Sequence, residues 1–202
     1  MQVITKAKIK INGREIEAQQ GETILETAKK NNIHIPTLCY HEDICLSGVC
    51  RICVVDIEGQ RLLLTSCSTP VVDGMVINTH SRRVRKARKM IIELLLSEHV
   101  ADCQTCKRNL NCELQTLASE YGIDEERFKK ADKKKFEIDD LSPIVRDNDK
   151  CILCRRCVSV CEEIQGVEAI KAMGRGTDTT IGSIYNLPLN STFCVFCGQC
   201  II

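Results

Sequence analysis

The stretch CILCRRCVSVC, residues 151–161, places four cysteines at intervals of three, three and four. A mononuclear zinc site usually draws on two separated pairs, and a disulfide framework rarely crowds four sulfurs so tightly. A cubane of iron and sulfide, by contrast, takes three closely spaced thiolates from one loop, while a fourth cysteine on the following helix serves a different cluster. That reading requires a second run, and CVFCGQC, residues 194–200, repeats the triplet. Cys161 is therefore expected to complete the site of Cys194, Cys197 and Cys200, and the reciprocal ligand of Cys151, Cys154 and Cys157 is expected just beyond Ile201. The sequence ends at Ile202, so it reads as a piece of a longer polypeptide; taken as complete, it would leave that cluster labile or with three irons.

The composition agrees with order supplied by metal. The chain has 202 residues, room for one large or two to three small domains, yet only 3% aromatics, no tryptophan and 15 cysteines. Small aromatic-poor segments have little apolar area to bury, so bound metal is expected to hold much of the structure. Neither a membrane-spanning apolar run nor the apolar core of a signal peptide after MQVITKAKIK is present in the sequence. The expectation is a soluble, cytoplasmic protein without a direct membrane span, whose C-x2-C spacings in a reducing compartment indicate metal rather than disulfides. A net charge of +1 singles out no partner.

Hydrophobic patterning predicts an α+β chain in four parts. Residues 1–79 read as a small sheet with one helix. VITKAKIKINGREIEA alternates around Asn12-Gly13, a strong hairpin signal, and Thr23 to Asn32 reads as a helix. CVVDIEG and RLLLTSC form a second strand pair, and MVINT follows Asp73-Gly74. Residues 80–121 open on Ser81 as helix N-cap, with Val84, Ala87, Ile91 and Leu94 or Leu95 on one face, His99 at the end, and a second helix near 112–121. Residues 122–148, including FKKADKKKF, read as a connector. Residues 149–202 are cysteine-dense, with glycines 174, 176 and 182 marking turns.

Two further constellations carry chemistry. Cys39, Cys50, Cys53 and Cys67, spaced C-x10-C-x2-C-x13-C, put three thiolates on a loop and a fourth on a later strand, which suits a 2Fe-2S cluster. Gly48 is expected to let backbone amides approach the sulfurs, and Cys45 is taken as a bystander. His99, Cys103, Cys106 and Cys112, spaced H-x3-C-x2-C-x5-C, suit either zinc or a 4Fe-4S cluster. In a 4Fe-4S cluster a neutral imidazole in place of a thiolate removes one negative charge and makes reduction easier. These sites and the two triplets account for every cysteine but Cys45. They call for one 2Fe-2S cluster and up to three 4Fe-4S clusters.

A zinc-binding nucleic-acid module is the rival from another class, with RRVRKARK, residues 82–89, as its basic helix. Zinc needs no triplet with a crossing fourth cysteine, and no aromatic residue interleaves the basic ones, so the run is read as a solvated helix face and no nucleic-acid partner is expected. Arg155 and Arg156 sit inside the cubane loop, where they either tune the cluster or are exposed surface charge.

In their order, LCYHEDICLSGVCRICVVDIEGQRLLLTSC, HVADCQTCKRNLNCELQTLA, CILCRRCVSVCEEIQGV and CVFCGQC resemble the N-terminal iron-sulfur arm shared by iron-iron hydrogenases, the large iron-sulfur subunit of respiratory NADH dehydrogenase and NAD-linked formate dehydrogenases. The resemblance implies a β-grasp 2Fe-2S domain, a small helical 4Fe-4S domain ligated by one histidine and three cysteines, and a two-cluster ferredoxin-like domain. GRGTDTTIGSIYNLPLNSTFCVFCGQC looks most like the version in multimeric NAD(P)-linked iron-iron hydrogenases. Partners implied are a flavin- and NAD(P)-binding iron-sulfur subunit, a small 2Fe-2S subunit, and ferredoxin. No nucleophile-base pair, phosphate loop or G-x-G-x-x-G fingerprint occurs in the sequence, so the chain reads as an electron wire serving a catalytic centre elsewhere.

Overall fold

The computed structural model describes residues 6–44, 48–100, 102–124, 127–128 and 142–201. Cys45 and most of FKKADKKKF lie outside these residues. The chain divides into two compact units, Met1–Tyr40 with Leu46–Ile91, and His41–Cys45 with Ile92–Ile202.

In the first unit, alternation in KAKIKI and REIEAQ builds β1 (Lys6–Ile11) and β2 (Arg14–Gln19), paired in register Ile9↔Ile16 across the Asn12-Gly13 turn. Asn12 and Gly13 both adopt positive φ, 51° and 81°, as a tight hairpin turn requires. Helix α1 (Ile24–Lys30) starts at a capping box: the Glu26 amide donates to the Thr23 hydroxyl at 3.2 Å and the Thr23 amide donates to the Glu26 carboxylate at 2.7 Å. Strands β3 (Val54–Ile57), β4 (Leu64–Thr65) and β5 (Val76–Asn78) complete a five-stranded sheet in the order β2-β1-β5-β3-β4, with β1 and β5 parallel. The pair read from CVVDIEG and RLLLTSC is thus real but short. Ile9, Ile11, Ile24, Leu25, Val55 and Ile77 form the core under α1, and Cys53 and Cys67 are buried within that same core.

Helix α2 (Arg82–Glu98) begins where expected, the Val84 amide donating to the Ser81 hydroxyl at 3.2 Å. Its buried stripe differs from the expected one. Val84, Arg88 and Ile92 are fully covered, Ala87, Ile91 and Leu95 only partly, and Leu94 is 47% exposed. RRVRKARK is therefore not wholly a solvated face, because Arg88 is 1% exposed and donates to the Val54 carbonyl at 2.8 Å. Burying a guanidinium is tolerated only where it finds acceptors, and the main chain of β3 supplies one.

In the second unit, a 3-10 turn (Cys103–Thr105) precedes α3 (Glu113–Glu120), which buries Leu114 and Leu117. Helix α4 (Arg156–Ser159) widens into a π turn (Val160–Ile164). Strands β6 (Lys171–Met173) and β7 (Thr180–Gly182) then form an antiparallel ribbon. Gly174 and Gly176 lie in its connection with positive φ, but Gly182 ends β7 and marks no turn. A Cβ there would run into the end of the Met173 side chain and meet Asn186 Oδ1 at 3.0 Å, so a larger residue would have to displace these two side-chain ends. The buried core described in this segment is Ile144, Ile170 and Leu189, packed against Cys157, Cys161, Cys194 and Cys200.

That core yields a prediction. Within 149–201 the buried aliphatic side chains are Ala169, Ile170, Ile181 and Leu189, with Ile144 beside them, few to set against the conformational entropy lost on ordering the segment. Stripping iron is expected to unfold 149–201 while β1 and β5 stay protected, as read by hydrogen exchange before and after chelation. Equal protection of 149–201 in both states would show that the segment holds itself together.

Candidate metal centres

At the first constellation the sulfurs come in two pairs. Cys53 and Cys67, delivered by the start of β3 and the turn after β4, lie 3.4 Å apart in the core. Cys39 and Cys50 form the other pair at its rim. The Cys50 thiol donates to the Cys39 sulfur and, against the cost of burial, lowers Cys39 to about 6, while Cys50 is driven upward. Cys53 is likewise lowered to about 6 by the Cys67 thiol, and Cys67 is raised by the same contact, by burial and by the charge of Cys53, Cys39 and Cys50. Two pairs of mutually interacting sulfurs fit a two-iron cluster, whose ligands divide two to each iron. The Val49 and Cys50 amides also bond the Cys39 sulfur, the amide approach expected at Gly48. Gly48 is needed there for its φ of +57°, since a Cβ would meet nothing nearer than Ser68 Oγ at 3.6 Å.

His99 follows the last turn of α2, its amide donating to the Leu96 carbonyl at 3.2 Å, with its ring half-buried. Cys103, Cys106 and Cys112 are half-buried on the loop that follows, bound internally by Cys106 N–H to Cys103 O at 3.2 Å and Asn109 N–H to Cys106 O at 3.0 Å. Cys112 occupies the N-cap position of α3.

The two triplets share a backbone device that their sequences hide. Leu153 and Arg155 have φ of 56° and 61°, and at the matching positions Phe196 and Gly198 have 53° and 76°. Alternating right- and left-handed residues curl successive amides inward into a nest, a concavity that receives anions such as iron-sulfur clusters. One such amide, Leu153 N–H, reaches the Cys151 sulfur at 3.3 Å, and Ala169 N–H reaches Cys161 at 3.3 Å. Cys151, Cys157, Cys161, Cys194, Cys197 and Cys200 line one largely apolar cavity of about 250 Å³. Burial and then the charge of Cys154, Cys151 and Cys200 push Cys157 up to about 12. Cys200 is raised by burial and by Cys194, Cys197 and Cys161. These interactions run both ways between the two cysteine runs, Cys200 acting on Cys157 and Cys161 on Cys200.

Cation chemistry fits these loops. Thiolates gathered in an apolar cavity repel one another and stay protonated unless metal neutralises them. The Nε–H groups of Arg155 and Arg156 are buried without a hydrogen-bond partner, leaving donor capacity that an anionic cluster could use. Neither arginine is simple exposed surface, since Arg156 also donates to the Glu113 carboxylate at 2.7 Å. Among the described residues no three His, Cys, Asp or Glu side chains converge on a single-ion position. The sulfurs lie instead in pairs and around a wider cavity, as when ligands are shared among several irons. Arg88, Glu113 and the left-handed Leu153 and Phe196 are the site features that the sequence reading missed.

Comparison with known proteins follows the same order of sites. Residues 5–82 match the 2Fe-2S iron-sulfur cluster binding domain, 88–127 the NADH-ubiquinone oxidoreductase-G iron-sulfur binding region, and 142–197 the ferredoxin-like domain of NADH-quinone oxidoreductase subunit 3. The chain is 42% identical over 198 residues to the NADP-reducing hydrogenase subunit HndD of Solidesulfovibrio fructosivorans, covering 96% of this chain and 34% of that protein. It is 34% identical over 190 residues to the mitochondrial NADH-ubiquinone oxidoreductase 78 kDa subunit of Candida albicans, covering 93% of this chain and 26% of that one. A solved NAD+-reducing NiFe hydrogenase in the H2-reduced state superposes with a TM-score of 0.82 at 28% identity, over 92% of this chain and 79% of that chain. The chain therefore spans about a third or less of the length of these two curated relatives. No helix among the described residues is long and apolar enough to cross a membrane.

Proposed function

We propose that the chain is the iron-sulfur arm shared by NAD(P)-linked hydrogenases and the large iron-sulfur subunit of NADH dehydrogenases, to which its three regions and its relatives are similar, and that it relays electrons between a flavin- and NAD(P)-binding partner subunit and a catalytic centre. Bound clusters would supply one-electron storage with little change of geometry. The chain's own residues do the rest. Cys39 with Cys50, and Cys53 with Cys67, hold a 2Fe-2S cluster against the sheet; His99, Cys103, Cys106 and Cys112 hold a 4Fe-4S cluster. Cys151, Cys154 and Cys157 hold a second cubane, and Cys161 with Cys194, Cys197 and Cys200 a third. The nest amides and the Arg155 and Arg156 Nε–H groups would supply donors to bound clusters and so favour the more negative reduced state.

The observation that carries this reading is one largely apolar cavity lined by cysteines of both runs, Cys151, Cys157 and Cys161 from the first and Cys194, Cys197 and Cys200 from the second. The 42% identity to an NADP-reducing hydrogenase subunit, against 33–37% to respiratory ones, supports the hydrogenase branch; an iron-iron centre as the terminus rests on the resemblance of GRGTDTTIGSIYNLPLNSTFCVFCGQC alone. The same arm serving a formate dehydrogenase or respiratory NADH dehydrogenase is the alternative.

The test is optical. The anaerobic chain alone is expected to keep its visible absorption on mixing with NADH or NADPH and to bleach only when the flavin-bearing partner is added. Direct bleaching by either nucleotide without a partner would overturn the relay reading.

A further inference from the structure

Resting on the electron-relay reading, we propose that the Arg156–Glu113 ion pair is a clasp between two cluster loops, a positioning pair that fixes the separation of the His99/Cys103/Cys106/Cys112 site from the Cys151/Cys154/Cys157 site. The two residues are 43 apart in sequence, yet Arg156 Nη2 lies 2.7 Å from Glu113 Oε2. Each stands next to a candidate ligand. Glu113 follows Cys112 and opens α3, and Arg156 precedes Cys157 and opens α4. The bond therefore joins the main chain of one ligand loop to that of the other through two side chains.

Local energetics account for only one of the partners. Glu113 at the first turn of α3 complements the positive end of that helix, so it would be favourable there unpaired. Arg156 has no such excuse. A cation in the first turn of the helical run 156–164 faces the positive end, and the matching position of the second triplet holds the neutral Gln199. Arg156 is also the better covered, its side chain 30% exposed against 47% for Glu113, with Nε buried and without a hydrogen-bond partner. A guanidinium forks, and here Nη2 is committed to the carboxylate on the other loop. One side chain rooted beside Cys157 thus ties its loop to the residue that follows Cys112. Transfer of a single electron between two centres depends steeply on their separation, so a clasp at this point controls the rate without taking part in the chemistry.

The test uses the full chain with clusters assembled anaerobically and reduced by dithionite. Wild type is expected to show magnetic interaction between the two reduced cubanes in its EPR spectrum. In Glu113→Gln the iron content should stay at the wild-type level, and in it and in Arg156→Gln that interaction weakens and electron exchange between the two sites slows at least tenfold. The exchanged double variant, Arg156→Glu with Glu113→Arg, should recover most of the interaction and rate, while the potentials of the two clusters move in opposite directions because the charges beside them have swapped. That split separates a clasp from simple electrostatic tuning, which would move the potentials and leave the interaction at its wild-type value in every variant. Wild-type interaction and rate in both single variants, with full iron, would overturn the proposal. Should Arg156→Gln lose iron, Glu113→Gln breaks the same bond from the other side and decides the matter alone. A wild-type chain without iron would overturn the relay reading and the clasp with it.

Discussion

Replacing Cys161 with Ser is expected to remove the cluster held by Cys194, Cys197 and Cys200 and to spare the one held by Cys151, Cys154 and Cys157, four residues away in sequence. Up to about four irons should be lost. The crossed assignment rests on the run pattern of two-cluster ferredoxins. Cys161 lies in the π turn at Val160–Ile164, where Gln165 N–H bonds the Val160 carbonyl at 3.1 Å. It packs with Cys157, Cys194 and Cys200 against Ile144, Ile170 and Leu189, and its sulfur accepts from Ala169 N–H at 3.3 Å. An alkoxide or hydroxyl there is a poor replacement for a soft thiolate. The check is comparative: the EPR component missing in Cys161→Ser should be the one missing in Cys197→Ser. If it is the one missing in Cys154→Ser, the crossed assignment is wrong.

His99→Cys is the second large effect, and its sign is opposite to a loss. The cluster should remain, because a cysteine placed after the last turn of α2 still precedes the Cys103–Cys112 loop. A thiolate adds one negative charge where the imidazole added none, so the reduced state costs more. The midpoint potential is expected to fall on the order of 100 mV or more, scaled from the rise seen where histidines replace cysteines in Rieske centres. An EPR-monitored redox titration reads this directly. An unchanged potential would take His99 off the ligand list.

Much of this architecture was legible because its signals are local. Asn12-Gly13 demands positive φ at both residues, Thr23 and Glu26 spell a capping box, and cysteine spacing announces the centres themselves. What was not legible depends on contacts distant in sequence. Arg88 reads as surface charge in any hydropathy pattern, and its burial depends on a partner distant in sequence, the Val54 carbonyl. The β6–β7 ribbon is too short for periodicity to register, each strand being three residues. Gly182 looks like a turn glycine until Met173 is found against it. The left-handed backbone at Leu153 and Phe196 carries no residue signal, since neither side chain favours that conformation. One clue to it was present: aligning CILCRRC with CVFCGQC sets Arg155 on Gly198, and a glycine at that position of the repeat marks positive φ in both loops.

Sequence spacing also could not separate zinc from iron at His99, Cys103, Cys106 and Cys112, because both metals accept that donor set. The site is read as a cluster from its place between a 2Fe-2S domain and a ferredoxin-like domain, matched in that order by the three family regions.

The central claim is that this chain is a wire of several iron-sulfur clusters, and an EPR-monitored redox titration of the anaerobic protein, with iron and acid-labile sulfide counted on the same sample, tests it most directly. The account predicts about fourteen irons or slightly fewer, one 2Fe-2S signal, and 4Fe-4S signals that titrate as separate one-electron steps. A colourless protein containing zinc and no labile sulfide would contradict it.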